Sequence, residues 1–591
     1  MSNSLFRTKK IENILAESSS GGDDEYATGL KRVLSVRDLT FFGIAAIIGA
    51  GSFSSLGAAV FNGGPGVVIL FIITGIACGF TALCYSEFAS RIPVAGSAYT
   101  YAYASFGELF AWIIGWALIM EYSIGNIYVA FSWSDYFVSF IDKLGTISHL
   151  NLHVPEYFSN SYPEVKHAID AGTKNEELLL AWNNAPVIAG LKIILDIPAL
   201  IINMLITYLV FRGVKESRNF SNVMVILKLI VVTLVILVGG YLVFSRGLTI
   251  NWLPANDEGV KSFMPNGFGG VMAAVAGVFF AYIGFDAVSV LAEESKNPQR
   301  DLPRGMILSL VICTVVYILL SLVLAGAVNY RKFEGVGDPL AFIFEAQNLN
   351  LGWMQFLVSV CAVVAMTSVL LVFQMGQPRI WMSMSRDGLL PGIFQRIHPK
   401  FKTPSFATII TGLVVGVPIL FTDKTFVLDF TSIATLFAFV LVCGGVLLIP
   451  RKEKVQGRFN IPYLNGKFIF PLIVAGTLFV LGFFVKGYFA DLFHFDFSAN
   501  ADYTSGKLTY MDVATPQIAL IVFWGAAILL AVFAFLKSYS LIPLMGLATC
   551  LYLLTGMTKT NWTWFFGWMV IGLIVYFLYG YKRSKLALQA V

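Results

Sequence analysis

Residues 43–53 read Gly-Ile-Ala-Ala-Ile-Ile-Gly-Ala-Gly-Ser-Phe and lie in the middle of the first long apolar run of the chain. Glycine costs roughly 1 kcal/mol relative to alanine in a helix interior. Gly49 and Gly51 bracket one small residue at mid-membrane depth, so the sequence predicts that the helix unwinds here. Unwound backbone is tolerated in a membrane only where it is buried or lines a cavity. The alternative is close packing of two helices through small residues.

An unwound segment at this depth has a defined binding chemistry. Its freed N–H groups point at an anion, as at a helix N-terminus. Its freed carbonyls accept hydrogen bonds from a cation. An α-amino acid carries both charges on adjacent atoms, so such a break suits it.

A second break is predicted in the sixth apolar run. Residues 279–287 read Phe-Phe-Ala-Tyr-Ile-Gly-Phe-Asp-Ala, with Gly284 in mid-run and an acidic residue soon after it. Breaks in the first and sixth runs are five helices apart. That offset is typical of two inverted five-helix repeats with a substrate site at their interface. The repeat is inferred from this offset alone, because runs one to five and six to ten have no convincing sequence identity.

The rest of the chain is equally apolar. Of 591 residues, 57% are hydrophobic and 13% are charged, whereas soluble domains carry about 25% charged residues. This composition excludes a soluble protein and a single-span receptor, and the long non-alternating runs argue against a β-barrel. Fourteen apolar runs fall near 38–61, 66–90, 107–141, 187–212, 219–244, 267–292, 305–328, 352–380, 405–422, 426–450, 467–489, 515–536, 538–555 and 562–581.

The runs predict an all-α membrane protein with about 14 transmembrane helices. Helices 1–5 and 6–10 form the two inverted repeats, and four C-terminal helices follow. With a cytoplasmic N-terminus, 27 basic residues fall on the cytoplasmic side and 11 on the outer side. This bias predicts that both termini are cytoplasmic. The polar, acidic outer loop 143–185 is expected to be a solvated loop with a short helix.

Ionisable residues inside apolar runs are functional candidates. Lys228 has only aliphatic neighbours in sequence and either titrates or makes a permanent structural contact. Glu121, in the third run, is either a substrate ligand or a structural hydrogen-bonding acid. Lys192 and Asp196 are four residues apart, so on a helix they are expected to neutralise each other.

Enzymatic function finds little support. The sequence has no nucleotide-binding or metal-binding motif in a plausible context. All five histidines lie outside the apolar runs, whereas an intramembrane metal enzyme needs clustered His, Asp or Glu. We therefore expect no enzyme activity, cofactor, metal or nucleic-acid partner. A protein that binds an amino acid without transporting it, such as a nutrient sensor, is a remote alternative to a transporter.

Several motifs resemble those of the amino acid–polyamine–organocation superfamily, and within it the bacterial relatives of cationic amino acid transporters. The resemblance covers roughly residues 35–585, and Ser52 stands where the family usually has an aliphatic residue. The motifs are Ile48-Gly49-Ala50-Gly51-Ser52-Phe53; Tyr85-Ser86-Glu87-Phe88-Ala89 with Pro93, Gly96 and Tyr99; 280–286 continuing into 292–298 and 301–304; and Gln377-Pro378-Arg379 with 384–391.

The resemblance implies a role for particular residues. The substrate carboxylate is held by the amides of Ala50 and Gly51, and its ammonium by the carbonyls of Ile47 and Ile283. Phe280 covers the substrate. Lys228 stands where sodium-coupled members place an ion, with Thr367 and Ser368 as implied neighbours in the eighth helix.

Together these observations predict a proton-coupled amino acid permease of the cell (inner) membrane that works by alternating access. Residues 1–35 are a predicted disordered cytoplasmic tail, 36–450 the transport core and 451–591 a four-helix C-terminal extension. A cationic or broad-range amino acid substrate is expected, with protons and the lipid bilayer as its other partners. An amino acid exchanger and an importer of small neutral amino acids are the alternatives.

Overall fold

The computed structural model describes the chain in ten stretches with short gaps between and within them. These are residues 5–9, 34–49, 51–92, 97–150, 152–188 without 171, 173 and 174, 190–213, 218–256, 259–448 without 402, 459–496 without 486, and 509–589.

The described residues are mainly helical. The α-helices are α1 (Val36–Ile47), α2 (Leu56–Gly63), α3 (Val67–Arg91), α4 (Ser97–Ser105), α5 (Glu108–Ser148), α6 (Tyr162–Asp170), α7 (Glu176–Asn184), α8 (Ile197–Arg212), α9 (Arg218–Leu234), α10 (Gly240–Ser245), α11 (Gly267–Ala273), α12 (Val275–Phe280), α13 (Pro298–Ala327), α14 (Pro339–Phe342), α15 (Gly352–Arg386), α16 (Ser405–Ile419), α17 (Lys424–Leu448), α18 (Gly466–Phe484), α19 (Tyr488–Phe493), α20 (Tyr510–Lys537), α21 (Leu541–Leu554), α22 (Lys559–Val575), α23 (Tyr581–Arg583) and α24 (Lys585–Gln589).

Shorter elements join them. One antiparallel hairpin pairs β1 (Val187–Ile188) with β2 (Leu191–Lys192). Single π-helical turns are Gly51–Ser55, Val235–Gly239 and Tyr576–Gly580, and 3₁₀ turns are Gly64–Gly66, Glu156–Phe158, Leu248–Trp252, Asp286–Glu294, Tyr330–Phe333 and Gly392–Gln395.

Within the described residues, nine helical segments are long and apolar enough to cross a membrane. Three shorter apolar helices, α8, α16 and α21, accompany them. The predicted all-α membrane architecture is therefore confirmed at this coarse level. The nine segments are Gly51–Arg91, Glu108–Thr146, Met224–Ser245, Pro298–Ala327, Gly352–Arg386, Lys424–Leu448, Gly466–Phe484, Tyr510–Lys537 and Lys559–Arg583.

The long helix α5 organises the core. It packs along α15 and α17, whereas α13 packs along α1 and α3. The breaks in the first and sixth runs lie where these two groups meet, since the π-turn after α1 contacts α12 and α12 contacts α17. Backbone without helical pairing is thereby enclosed by protein, as a membrane interior requires.

Both ends of the described chain pack at the same end of α5. The backbone amide of Glu108 donates to the carbonyl of Arg7, and the side chain of Ser584 donates to the Glu108 carboxylate. Gly107 adopts φ +99°, and a Cβ there would lie 2.6 Å from the carbonyl carbon of Phe6. We call this end the terminal face, and the opposite end, where α5 meets residues 152–195, the vestibule face.

On the vestibule face, the segment 152–195 is more ordered than a solvated loop with one short helix. It forms α6, α7 and the β1–β2 hairpin around a small apolar core of Val165, Ala181, Ala185 and Ile194. This small core packs the helices and the hairpin of the segment against one another. The acidic side chains that the sequence places here therefore border a covered space.

The predicted helical pair of Lys192 and Asp196 is wrong. Lys192 lies in β2, where it donates a hydrogen bond to the carbonyl of Trp182 and lies 4.2 Å from the centroid of that ring. Asp196 instead caps α8 by accepting from the amide of Ala199. The i, i+4 rule fails because the helix begins only at Ile197.

Candidate functional site

The first apolar run is interrupted where its glycines predict. Helix α1 ends at Ile47, and the amide of Gly49 folds back to the Ile47 carbonyl at 3.0 Å. Helical structure resumes with the π-turn that begins at Gly51. Ala50, the predicted carboxylate ligand between them, lies outside the described residues. Among the described residues, the break therefore includes Ile48 and Gly49.

The sixth run is interrupted in the same way. Helix α12 ends at Phe280, and Gly284 adopts φ +116°, which an L-residue with a side chain rarely adopts. A 3₁₀ turn then begins at Asp286. The amide of Ala287 donates to the carbonyl of Gly284 at 3.1 Å, which closes the turn around this glycine. Asp286 is 2% exposed, so its carboxyl group is buried at the break.

The two breaks interlock. A Cβ built on Gly51 would lie 2.4 Å from the Cα atom of Ala281 in the sixth run. A Cβ built on Gly284 would lie 2.9 Å from the Cβ atom of Ala46 in the first run. Each glycine therefore lets the backbone of one broken helix approach the other. The alternative of close packing through small residues and the predicted unwinding both occur at this point.

Carbonyl groups of α1 are already partnered in this arrangement. The Ile47 carbonyl accepts a hydrogen bond from the hydroxyl of Tyr317 at 2.8 Å. The carbonyl of Ala45 accepts one from the Nζ atom of Lys228 at 3.2 Å. Lys228 is only 1% exposed. The fifth apolar run thus contacts the backbone of the first run directly through this lysine.

The implied hydroxyl neighbours of Lys228 lie on α15 with partners of their own. The hydroxyl of Thr367 donates to the carbonyl of Val363 and accepts from the indole of Trp133. The hydroxyl of Ser368 donates to the carbonyl of Ala365. Both hydroxyls therefore donate to backbone carbonyls of their own helix, α15.

Glu121 lies on α5 and is 3% exposed. Its carboxyl group lies next to the hydroxyl of Thr435 on α17, which donates to the carbonyl of Thr431, and it interacts electrostatically with Asp286. Two acidic side chains from different helices are therefore close to each other and to the break in the sixth run. Asp286 belongs to a motif that the sequence alone reveals. The proximity of Asp286 to Glu121 depends on how α5 packs, which the sequence does not reveal.

Phe280 is 5% exposed and meets Tyr128 of α5 edge to face, with ring centroids 4.5 Å apart. Tyr128 also lines the cavity above it, as does Ser54 in the π-turn that follows the first break. Tyr128 is not among the residues that the sequence motifs predict. Its seven-residue offset from Glu121, which places both residues on one helix face, is the signal that points to it.

A cavity of about 860 Å³ occupies the vestibule face above Tyr128. Its lining is rich in carboxyl groups from α5, from the 152–195 segment and from the loop before α15. We call it the vestibule. The acidic residues that line it are Asp135, Asp142, Glu156, Glu164, Glu176, Glu177, Asp338 and Glu345.

Four vestibule carboxyls outside the membrane-crossing helices have raised pKa values, and the shift is largest for Glu164 and Asp338. Burial, together with the charges of Asp135 and other nearby acids, raises the pKa of Glu164 to about 7. Burial and the charge of Glu345 raise the pKa of Asp338 to about 8. Near neutral pH both groups are partly protonated, so the vestibule carries less negative charge than its carboxyl count suggests.

Phe280→Ala is expected to weaken amino acid affinity by roughly 1–3 kcal/mol, the range for a lost aromatic contact. The ring would no longer cover a ligand at the breaks or close against Tyr128. Binding measured by thermal shift on purified protein checks this. Phe279→Ala is the control, because that ring packs against Phe439 instead. Unchanged affinity in Phe280→Ala, or equal weakening in Phe279→Ala, would contradict the covering role.

Comparison with known proteins agrees with this architecture. The sequence model described as "Amino acid permease" matches residues 34–491, and the one described as "C-terminus of AA_permease" matches residues 539–584. A branched-chain amino acid permease of Bacillus subtilis is 40% identical over 77% of this chain and 87% of its own length. A methylthioribose transporter of the same organism is 38% identical over 80% of this chain and 91% of its own length.

A plant relative matches almost the whole chain. The vacuolar cationic amino acid transporter 2 of Arabidopsis thaliana is 31% identical over 99% of this chain and 93% of its own length. The relatives are transporters rather than enzymes, and their names differ in the substrate they carry. Taken with the interrupted helices and the membrane-crossing segments, these matches establish that the chain is an integral multi-pass membrane protein of the amino acid permease family, in the amino acid–polyamine–organocation superfamily.

Proposed function

We propose that this protein is a secondary active transporter that moves L-amino acids, including cationic ones, by proton-coupled alternating access. The observation that carries the proposal is the interlocking of the two breaks beside a buried acidic pair. Amides and carbonyls of broken helices match the two charges common to all α-amino acids. The carboxyl groups of Glu121 and Asp286 lie where a side chain of the substrate would extend, and a cationic side chain there would stabilise their ionised forms.

Each residue takes one role in this proposal. The amides of Ala50 and Gly51 hold the substrate carboxylate, and the carbonyls of Ile47 and Ile283 hold its ammonium. For Ile47, the substrate ammonium joins or replaces the hydroxyl of Tyr317 at the carbonyl. Gly49 and Gly284 allow the chain to unwind at both positions, and Phe280 closes over the ligand.

The coupling proton is assigned to Lys228. Its bond to the Ala45 carbonyl places a titratable group on the first helix, three residues before the break begins. Binding or releasing a proton there changes how firmly the fifth run holds the first run. A ligand shifts a conformational equilibrium only through different affinities for the two states, and this contact provides such a difference.

The topology we propose has 14 transmembrane helices, with helices 1–5 and 6–10 as inverted repeats. Residues 36–450 form the transport core, 451–591 the C-terminal extension and 1–35 a cytoplasmic tail. Both termini then lie in the cytoplasm of a cell whose plasma (inner) membrane holds the protein, and the vestibule opens outward. The bias of basic residues supports this orientation.

A neutral branched-chain substrate is the second candidate. It is favoured by the 40% identity to a protein named as a branched-chain amino acid permease. The buried pair of Glu121 and Asp286 favours a cationic substrate, because a desolvated acidic pair gains most from a positively charged partner. One experiment separates the two candidates.

Purified protein in proteoliposomes is tested for uptake of labelled arginine, lysine, leucine and alanine, with and without an inward proton gradient. We expect accumulation of arginine and lysine above equilibrium only with the gradient. Accumulation of leucine alone would support the neutral candidate. Exchange without net accumulation would identify an exchanger, and binding without uptake a sensor.

Glu121→Gln is expected to weaken arginine and lysine binding roughly 10- to 150-fold, since hydrogen bonds to charged groups contribute roughly 1.5–3 kcal/mol. Alanine binding should change little. The glutamine keeps the shape and the contact with Thr435 while removing the charge. Binding of arginine and alanine to the purified variant, compared with wild type, measures the difference.

The matched control is Glu108→Gln, at the other end of α5. Glu108 is fully buried and is held by Tyr103, Tyr576 and Ser584 on the terminal face, far from the breaks. That variant should lose stability without a change in substrate preference. Equal losses for arginine and alanine in Glu121→Gln would mean that Glu121 has a structural role.

A further inference from the structure

Four residues of α5 are spaced seven apart and lie on one face of the helix. They are Glu121, Tyr128, Asp135 and Asp142. Seven residues make about two turns, so each step rises about 10.5 Å and rotates by only about 20°. Asp142, Asp135 and Tyr128 line the vestibule, and Glu121 is buried beyond them. This face of α5 runs from the vestibule toward the interlocked breaks. It carries two carboxyl groups on the vestibule side of Tyr128 and one, that of Glu121, on the other side.

Three different groups surround the ammonium of Lys424 at the floor of the vestibule. It forms an ion pair with the carboxylate of Asp135. It lies 3.5 Å from the carbonyl oxygen of Gly337 and 5.7 Å from the ring centroid of Tyr128. A carboxylate, a carbonyl and an aromatic face are the groups that recognise an organic cation. We call this arrangement the cation cage.

The cage lies on the route from the vestibule to the breaks. The carbonyl of Gly337 also accepts a hydrogen bond at 2.9 Å from the hydroxyl of Ser54, just beyond the first break. Tyr128, the floor of the cage, meets Phe280 directly. A cationic side chain that approaches the breaks along this face of α5 therefore meets the groups that now hold the ammonium of Lys424.

We propose that the cation cage is a capture subsite for the positively charged side chain of a cationic amino acid, which Lys424 occupies in the absence of substrate. The proposal rests on the proposed transport of cationic amino acids. One cation replaces another, so the partly buried carboxylate of Asp135 keeps a positively charged partner throughout. The substrate then continues along the same face of α5 toward Glu121.

The competing explanation is a permanent structural ion pair that fastens α5 to α17. The two explanations differ for charged and neutral ligands. A resident lysine competes only with a cation, because a neutral side chain has no favourable interaction with Asp135. A structural tie affects every substrate alike. The decisive quantity is therefore the ratio of arginine potency to leucine potency.

The experiment uses the full-length protein in proteoliposomes. External arginine and leucine compete with uptake of whichever labelled amino acid the wild type carries, and their potencies are compared in Lys424→Met and Asp135→Asn. We expect Lys424→Met to raise arginine potency about tenfold if the lysine fills the cage about 90% of the time, since occupancy lowers apparent affinity in proportion. Asp135→Asn should lower arginine potency to a similar extent. Leucine potency should stay the same in both.

Two controls make the result specific. Lys143→Met removes a positive charge from the same vestibule but not from the cage, and should leave arginine potency close to wild type. Lys424→Arg keeps a resident cation and should resemble wild type. If Lys424→Met does not fold, Asp135→Asn and Lys424→Arg still decide between the explanations.

Equal changes for arginine and leucine would overturn the proposal in favour of a structural ion pair. An equal gain in Lys143→Met would overturn it in favour of a diffuse field effect. If the wild type carries leucine but not arginine, the proposed cationic transport fails. The competition assay still tests the cage in that case, because it measures whether arginine acts from outside and does not need arginine to be carried.

Discussion

Gly51→Val is expected to abolish amino acid binding in a protein that still inserts and folds. Even the first carbon of the new side chain would lie 2.4 Å from the Cα atom of Ala281. Backbone cannot turn away as a flexible side chain does, so the two broken helices must separate. The side chain also blocks the approach of a carboxylate to the amides at the break. Both halves of the proposed site are therefore displaced together.

Gly79→Val is the matched control. Gly79 lies inside the apolar helix α3, and a Cβ there meets no atom within 4 Å. Both variants place a branched side chain in a membrane helix, but only one is at the interlocked breaks. Thermal-shift binding and size-exclusion profiles of the two purified variants are compared. Normal affinity in well-folded Gly51→Val would refute the role of this segment.

The positions of the breaks could be predicted from single residues. Gly49, Gly51 and Gly284 lie at mid-run, where a glycine weakens a helix whatever surrounds it. Their interlocking could not be predicted. The contacts of Gly51 with Ala281 and of Gly284 with Ala46 depend on the relative height of two helices, which no local pattern specifies.

A spacing rule for helices gives a wrong prediction where the chain forms a strand instead. Lys192 and Asp196 satisfy the spacing of a helical ion pair, yet the apolar run they belong to begins as a β-hairpin. Apolar content alone does not distinguish a short strand from the start of a helix. Similarly, the sequence predicts a solvated loop at 143–185, whereas the structure has a small apolar core there. The four residues of that core are scattered in sequence, so no local pattern reveals them.

The cation cage combines residues that are far apart in the chain. Asp135, Gly337 and Lys424 belong to three different segments, and each alone has an ordinary explanation as a surface charge or a turn. Only the seven-residue spacing on α5 can be read from the sequence. The resident lysine and the carbonyl become visible only once α17 and the loop before α15 are in place.

Lys228→Met is expected to eliminate accumulation driven by a proton gradient while some substrate binding or exchange survives. The ammonium is 1% exposed in a membrane helix and bonds the Ala45 carbonyl of the first helix. In the proposed coupling, a charged lysine holds the first helix in place and a neutral lysine holds it less firmly, which would link protonation to conformation. Methionine keeps the length and removes both the charge and the proton. Uptake of labelled substrate into proteoliposomes with an inward proton gradient measures the effect.

Two further variants separate titration from simple fastening. Lys192→Met removes a lysine from the β-hairpin, outside the proposed site, and should keep gradient-driven accumulation. Lys228→Arg retains a cation that does not lose its proton at physiological pH. If Lys228 only fastens the fifth run to the first, arginine should preserve accumulation. If it must release a proton in each cycle, Lys228→Arg should bind substrate yet fail to accumulate it, as Lys228→Met does.

Persistent accumulation in Lys228→Met would place the coupling proton elsewhere, and Glu121, buried beside Asp286, is then the next group to test.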